Sequence, residues 1–135
     1  MRPGPPPPRR PVRRGFTLIE LIVVMAIVAL LASIVAPRYF NALHKSRETA
    51  LLQSLTTMRD AIDQFAADKA RYPESLQELA AARYLRDIPE DPLTGRRDSW
   101  VELPPPADMQ ATGGLWDVRS GAAGRSADGR LYADW

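Results

Sequence analysis

Few residues in this chain are placed to do chemistry, and the best placed lie in one hexamer, Gly15-Phe16-Thr17-Leu18-Ile19-Glu20. Ahead of it runs a short arm with Arg2, Arg9, Arg10, Arg13 and Arg14 and no acid, and behind it an apolar stretch. A basic arm, a glycine that leaves the backbone open, and then a hydrophobic helix form the arrangement of a proteolytic processing site upstream of a membrane anchor. Hydrolysis of the Gly15–Phe16 bond would discard the arm, keep the anchor and leave a new ammonium on Phe16. Glu20 is its chemical complement. A carboxylate within a membrane span costs of order 2.5 to 3.5 kcal/mol at mid-bilayer and marks function. Its place in the first turns also brings it near the headgroups and the positive end of the helix.

Elsewhere the chemistry is thin. The one histidine, His44, stands beside Lys45 and close to Arg47 in a polar helical stretch and reads as a surface residue. Asp117, Asp128 and Asp134 are strung along a glycine-rich stretch whose oxygens could hold Ca²⁺, an ion that takes about six to eight of them. The acids are few and Arg125 sits among them, so a solvated turn region is expected, with no cofactor. The chain has no cysteine, which removes disulfides, thiolate metal sites and cysteine nucleophiles. No nucleophile motif, phosphate loop or histidine metal spacing occurs, so no enzyme is expected.

The elements that must position the hexamer follow from charge and periodicity. Five of the eighteen Lys and Arg lie in residues 1–15, leaving thirteen against sixteen Asp and Glu, a net charge of −3 for the remainder. The basic character therefore belongs to the leader, and nothing points to a nucleic-acid surface. Residues 1–14, mostly proline and arginine, can bury no apolar surface and should stay extended and disordered. Residues 16–36 carry only Thr17, Glu20 and Ser33 as polar side chains. As a helix they would be about 31 Å long, one hydrocarbon thickness. The flanking arginines keep the N-terminus in the cytoplasm and send the C-terminal part outward. A removed secretory signal is the rival reading, but its cleavage site is missing: Ala32 has Leu30 two residues before it, and Ala36 is followed by Pro37.

Pro37 can kink a long helix without ending it. Beyond it, Leu51, Leu55, Met58, Ile62 and Phe65 recur at helical spacing, and Arg59 and Asp63 are placed to pair at i,i+4. One helix from about 17 to 69 is predicted, with residues 37–70 its amphipathic continuation. Tyr72-Pro73 breaks it, and Leu76, Leu79 and Ala80 give a second short helical segment ending near Tyr84. Residues 71–135 then form a small α/β head: a strand at 100–103 stopped by Pro104, Pro105 and Pro106, a strand at 115–119 with Trp116 and Val118 on one face, and a glycine-rich tail. The fold class expected is α+β, a long helix packed on an antiparallel sheet of about three strands, whose small size requires a covering helix.

The hexamer, preceded by a basic leader and followed by an apolar helix near the start of a chain of this length, resembles the cleavage motif of type IV prepilins and of the pseudopilins of type II secretion systems. Tyr72-Pro73, Asp91-Pro92, Trp116 and Asp128-Gly129 resemble the major, G-type pseudopilin in particular. The resemblance implies cleavage by a prepilin peptidase between Gly15 and Phe16, N-methylation of Phe16, and pairing of Glu20 with the Phe16 amine of a neighbouring subunit. It implies a homopolymer of pseudopilins extended by an inner-membrane assembly platform, a single-pass inner-membrane precursor with a periplasmic head, and protein export as the function. It also implies a calcium-binding C-terminal loop, here with Asp117 and Asp128. A type IV pilin for adhesion or DNA uptake, and a single-pass tether carrying a binding head, are the other readings.

Overall fold

The computed structural model describes residues 1–6 and 14–135; Arg9, Arg10 and Arg13 of the expected leader lie outside the described residues. Contacts divide the chain into two units, Met1–Tyr39 and Phe40–Trp135. Residues 1–6 and 14–17 are non-helical and exposed. Helix α1, Leu18–Lys69, is 52 residues long and runs through Pro37, as the period predicts. In its first part every large apolar side chain from Leu18 to Val35 is exposed, and the stretch is long and apolar enough to cross a membrane. Ser33 is tolerated there because its hydroxyl donates to the Leu30 carbonyl at 2.7 Å, which leaves no unsatisfied donor for lipid.

In the second unit the stripe of α1 becomes a core. Leu51, Leu55, Met58, Ile62 and Phe65 are buried with Leu76, Leu79, Leu115 and Val118 in one hydrophobic cluster. Helix α1 stops where Ala70 adopts a left-handed φ of 54°. Helix α2, Leu76–Ala81, follows, started by Ser75, whose side chain accepts the Glu78 N–H. It is held to the end of α1 by an edge-to-face contact of Tyr84 on Phe65 and by the Arg71–Glu78 ion pair at 2.5 Å.

The sheet has two strands, not the expected three. β1, Val101–Leu103, pairs antiparallel with β2, Asp117–Arg119, in the register Glu102 opposite Val118. The stretch expected as a glycine-rich loop adds no strand to it. Gly124 takes a left-handed φ of 108°, and the chain reverses from Ser126 to Gly129, so only an isolated bridge, Arg125 to Leu131, survives before a 3-10 turn at Tyr132–Asp134. The expected face of β2 is also revised: Leu115 and Val118 are fully buried, while Trp116, just before the strand, is half-buried, its backbone N–H donating to the Leu103 carbonyl. At Gly113 the close approach is strict: a Cβ there would lie 2.3 Å from the Tyr72 carbonyl oxygen, which explains a glycine where the loop meets the Tyr72-Pro73 break.

Candidate processing and assembly site

At Gly15 the backbone is open: a Cβ built there meets nothing within 4 Å, and Phe16 is exposed. Helical hydrogen bonding starts two residues on, with Leu21 N–H donating to the Thr17 carbonyl at 3.2 Å. Thr17 caps the helix. Its hydroxyl oxygen accepts the Glu20 N–H at 3.3 Å, and the Thr17 N–H donates to Glu20 Oε2 at 3.3 Å. This reciprocal pair is a capping box, in which two of the orphan donors of the first turn are satisfied. Glu20 is thereby folded back toward the N-terminus of α1, where the helix dipole favours its charge. Periodicity alone does not reveal this; the signal that does is Thr-x-x-Glu directly ahead of an apolar run.

The other residues singled out from sequence are dispersed. His44 is exposed on α1. Arg59 pairs not with Asp63, four residues on, but with Asp117, Nε to Oδ1 at 2.7 Å, while its Nη2 donates to the Val118 carbonyl at 3.0 Å. The fork of a guanidinium suits a carboxylate and a strand carbonyl side by side, which outweighs a weak surface pair along the helix. Asp128 accepts from Ser126 and from Arg130, contacts that hold its carboxyl below the usual carboxylate range, Ser126 first and Arg130 second. Among the described residues no group of three or more His, Cys, Asp and Glu gathers as for a metal ion.

Two polar anchors were not foreseen. Glu48 on α1 accepts the Tyr132 hydroxyl at 2.8 Å and the Ala127 N–H at 3.2 Å, and so ties the C-terminal loop to the helix. Asp91 is fully buried; it accepts from Leu93 N–H, Thr94 N–H and the Ser120 hydroxyl and thus fixes the Asp91-Pro92 turn against the end of β2. Both connect residues far apart in sequence, where spacing carries no signal.

Residues 10–36 match the family model for the prokaryotic N-terminal methylation motif. The chain is 33% identical over 103 residues to the type II secretion system core protein G of Klebsiella michiganensis, covering 64% of this chain and 72% of that one. It is 32% identical over 96 residues to the protein of the same name from Klebsiella pneumoniae, covering 59% and 69%. It is also 35% identical over 72 residues to the type IV major pilin protein PilA of Myxococcus xanthus, but covers only 33% of that protein. No solved structure matches significantly. The methylation motif lies on the hexamer and its apolar helix, and the core protein G similarity extends far beyond it. The chain belongs to the type II secretion system core protein G family.

Proposed function

We propose that the protein is the major subunit of a periplasmic pseudopilus that drives protein export, stored in the inner membrane as a single-pass precursor with its N-terminus in the cytoplasm. A prepilin peptidase hydrolyses the Gly15–Phe16 bond and methylates the new Phe16 amine. An assembly platform then draws subunits from the bilayer into a filament. The role is mechanical and not enzymatic. The observation that carries this reading is the junction itself: an exposed, non-helical Gly15–Phe16 bond immediately ahead of a capped apolar helix.

Glu20 supplies register. In the packed apolar interior of a filament an unpaired charge costs several kcal/mol. The Phe16 ammonium of a neighbour removes that cost at one axial stagger, so the charge pair selects the stagger while apolar surface supplies adhesion. Intact mass of the protein extracted from membranes tests the processing step. The mature form should lack residues 1–15 and carry one methyl group; a form retaining Arg13 and Arg14 would overturn the reading. The pilin alternative is the weaker reading, since the PilA similarity covers only 33% of that protein.

A further inference from the structure

The resemblance to the G-type pseudopilin implies calcium at Asp117 and Asp128, and the oxygens of residues 117–135 decide whether the ion fits. Calcium takes about six to eight oxygens, carboxylates among them. Asp117 Oδ1 already accepts from Arg59 Nε at 2.7 Å and from the Val118 N–H at 2.8 Å. Asp128 accepts the Ser126 hydroxyl at Oδ1 and Arg130 Nε at Oδ2, the latter at 2.9 Å. Among the described residues no three acids or histidines gather that could hold an ion. Charge points the same way. Three acids, Asp117, Asp128 and Asp134, face three arginines, Arg119, Arg125 and Arg130, so the side chains of residues 117–135 sum to zero. An incoming divalent cation would meet a guanidinium on each acid it needs. The donor set does not fit the ion.

A bound cation does two things for such a loop: it neutralises carboxylates and it ties the loop shut. Here the chain's own side chains do both. Arg130 Nε neutralises Asp128, and Arg125 Nη1 donates to the Gly129 carbonyl at 2.9 Å. Such charge-assisted hydrogen bonds are about twice as strong as neutral ones. Between the two arginines the turn is closed by the Gly129 N–H on the Ser126 carbonyl at 2.9 Å and the Ser126 N–H on the Arg130 carbonyl at 2.8 Å. The turn is then fastened to the helix. Glu48 Oε1, on α1, accepts the Ala127 N–H at 3.2 Å and the Tyr132 hydroxyl at 2.8 Å, so one carboxylate holds the loop on both sides of Asp128. Arg130 is itself fixed, because its guanidinium also lies 5.2 Å from the centre of the Trp135 ring, a cation on an aromatic face.

We infer that the C-terminal loop is a latch closed by the chain's own cations, Arg125 and Arg130, and caught on α1 by Glu48, so that the head closes and subunits assemble without a divalent cation. The assembly half rests on the filament reading above; the latch itself does not. With both acids engaged inside the chain, the order of the loop is independent of the calcium level outside it.

Amide hydrogen exchange on the purified full chain tests the latch. The amides of Ser126, Ala127, Gly129 and Tyr132 should be protected in chelator as well as in millimolar calcium. Amides that exchange fast in chelator and slow by about tenfold or more in calcium overturn the latch. Glu48→Ala, and separately Arg125→Gln combined with Arg130→Gln, should speed exchange at these positions by about tenfold or more while the amides of α2 keep their wild-type rates, which sets local opening apart from unfolding. Wild-type exchange in either variant overturns the role given to those side chains. Filament yield with and without chelator tests the assembly half, and equal yields are expected. Filaments lost in chelator while the latch amides stay protected overturn that half alone. No filaments under either condition would overturn the polymer reading, and the latch would still be judged by exchange.

Discussion

One helix, α1, contains two stretches of similar apolarity and opposite fate. From Leu18 to Val35 the large apolar side chains surround the helix and every one is exposed; from Leu51 to Phe65 they keep to a stripe and are buried. A helix that is apolar all round needs an apolar solvent, whereas a stripe needs one partner surface. The second stretch finds its surface in the chain's own α2 and sheet. The first stretch is exposed among the described residues, and its apolar surface suits lipid or other copies. Hydrophobicity alone therefore does not tell adhesion from folding; its angular distribution does.

The contrast can be broken most decisively at Glu20. Glu20→Leu makes the first stretch more apolar and leaves Gly15 untouched, so membrane level and processing should match the wild type. On the proposed pairing filaments should be lost, since a Phe16 ammonium buried without its partner would cost roughly 3 to 5 kcal/mol per contact. Sheared filaments and secreted cargo measure this; normal filaments would make Glu20 a passive headgroup contact.

Next in size is a matched pair of truncations. Phe65→Ala should destabilise the head by about 3 to 5 kcal/mol in a thermal or denaturant melt, from lost burial plus a cavity. Ile27→Ala, from the exposed stretch, should move the same melt by less than about 0.5 kcal/mol. Equal effects would erase the distinction between the two stretches.

A smaller change sharpens the head's side of it. Arg59→Met keeps much of the side chain's bulk but frees Asp117 and the Val118 carbonyl, and should cost about 1 to 2 kcal/mol in the same melt. Asp63→Asn, the partner that helical spacing suggests, should cost almost nothing. The reverse order would mean that Arg59 pairs along α1.

The smallest effect expected is that of calcium. Arg59 occupies Asp117, and Arg130 with Ser126 occupies Asp128, so an added cation must displace an arginine at each. The melting temperature in Ca²⁺ and in chelator should coincide; a rise of several degrees would show that the loop rearranges around the ion.

These elements mark where the sequence is legible. The limits of α1, its buried stripe, the Tyr72-Pro73 break and the first two strands follow from local periodicity and proline, since each is set by neighbours within a few residues. The hexamer is legible for the same reason, as its residue types and flanks lie side by side. About three strands were expected and the sheet has two, because the glycines and reverse turn of the stretch after β2, legible as a loop, leave only an isolated bridge there. Arg59–Asp117, Glu48–Tyr132 and Asp91–Ser120 lay out of reach because each joins residues brought together only by the fold. The cap at Thr17 is the exception: it is local, and its pattern stands in plain view beside the better-known signal at Gly15.

That cap has a bearing on the timing of maturation. Both of its partners, Thr17 and Glu20, stand on the C-terminal side of the Gly15–Phe16 bond. The helix start is thus written on the C-terminal side of that bond, and among the described residues the leader contributes none of its hydrogen bonds. Removal of residues 1–15 would rewrite the electrical identity of the terminus, from a string of arginines to a single amine, while the scaffold beneath stays as it was. On the proposed processing, precursor and mature subunit would be one fold with two labels, and a machine that reads the label could hold finished parts in stock and release them without asking any of them to refold.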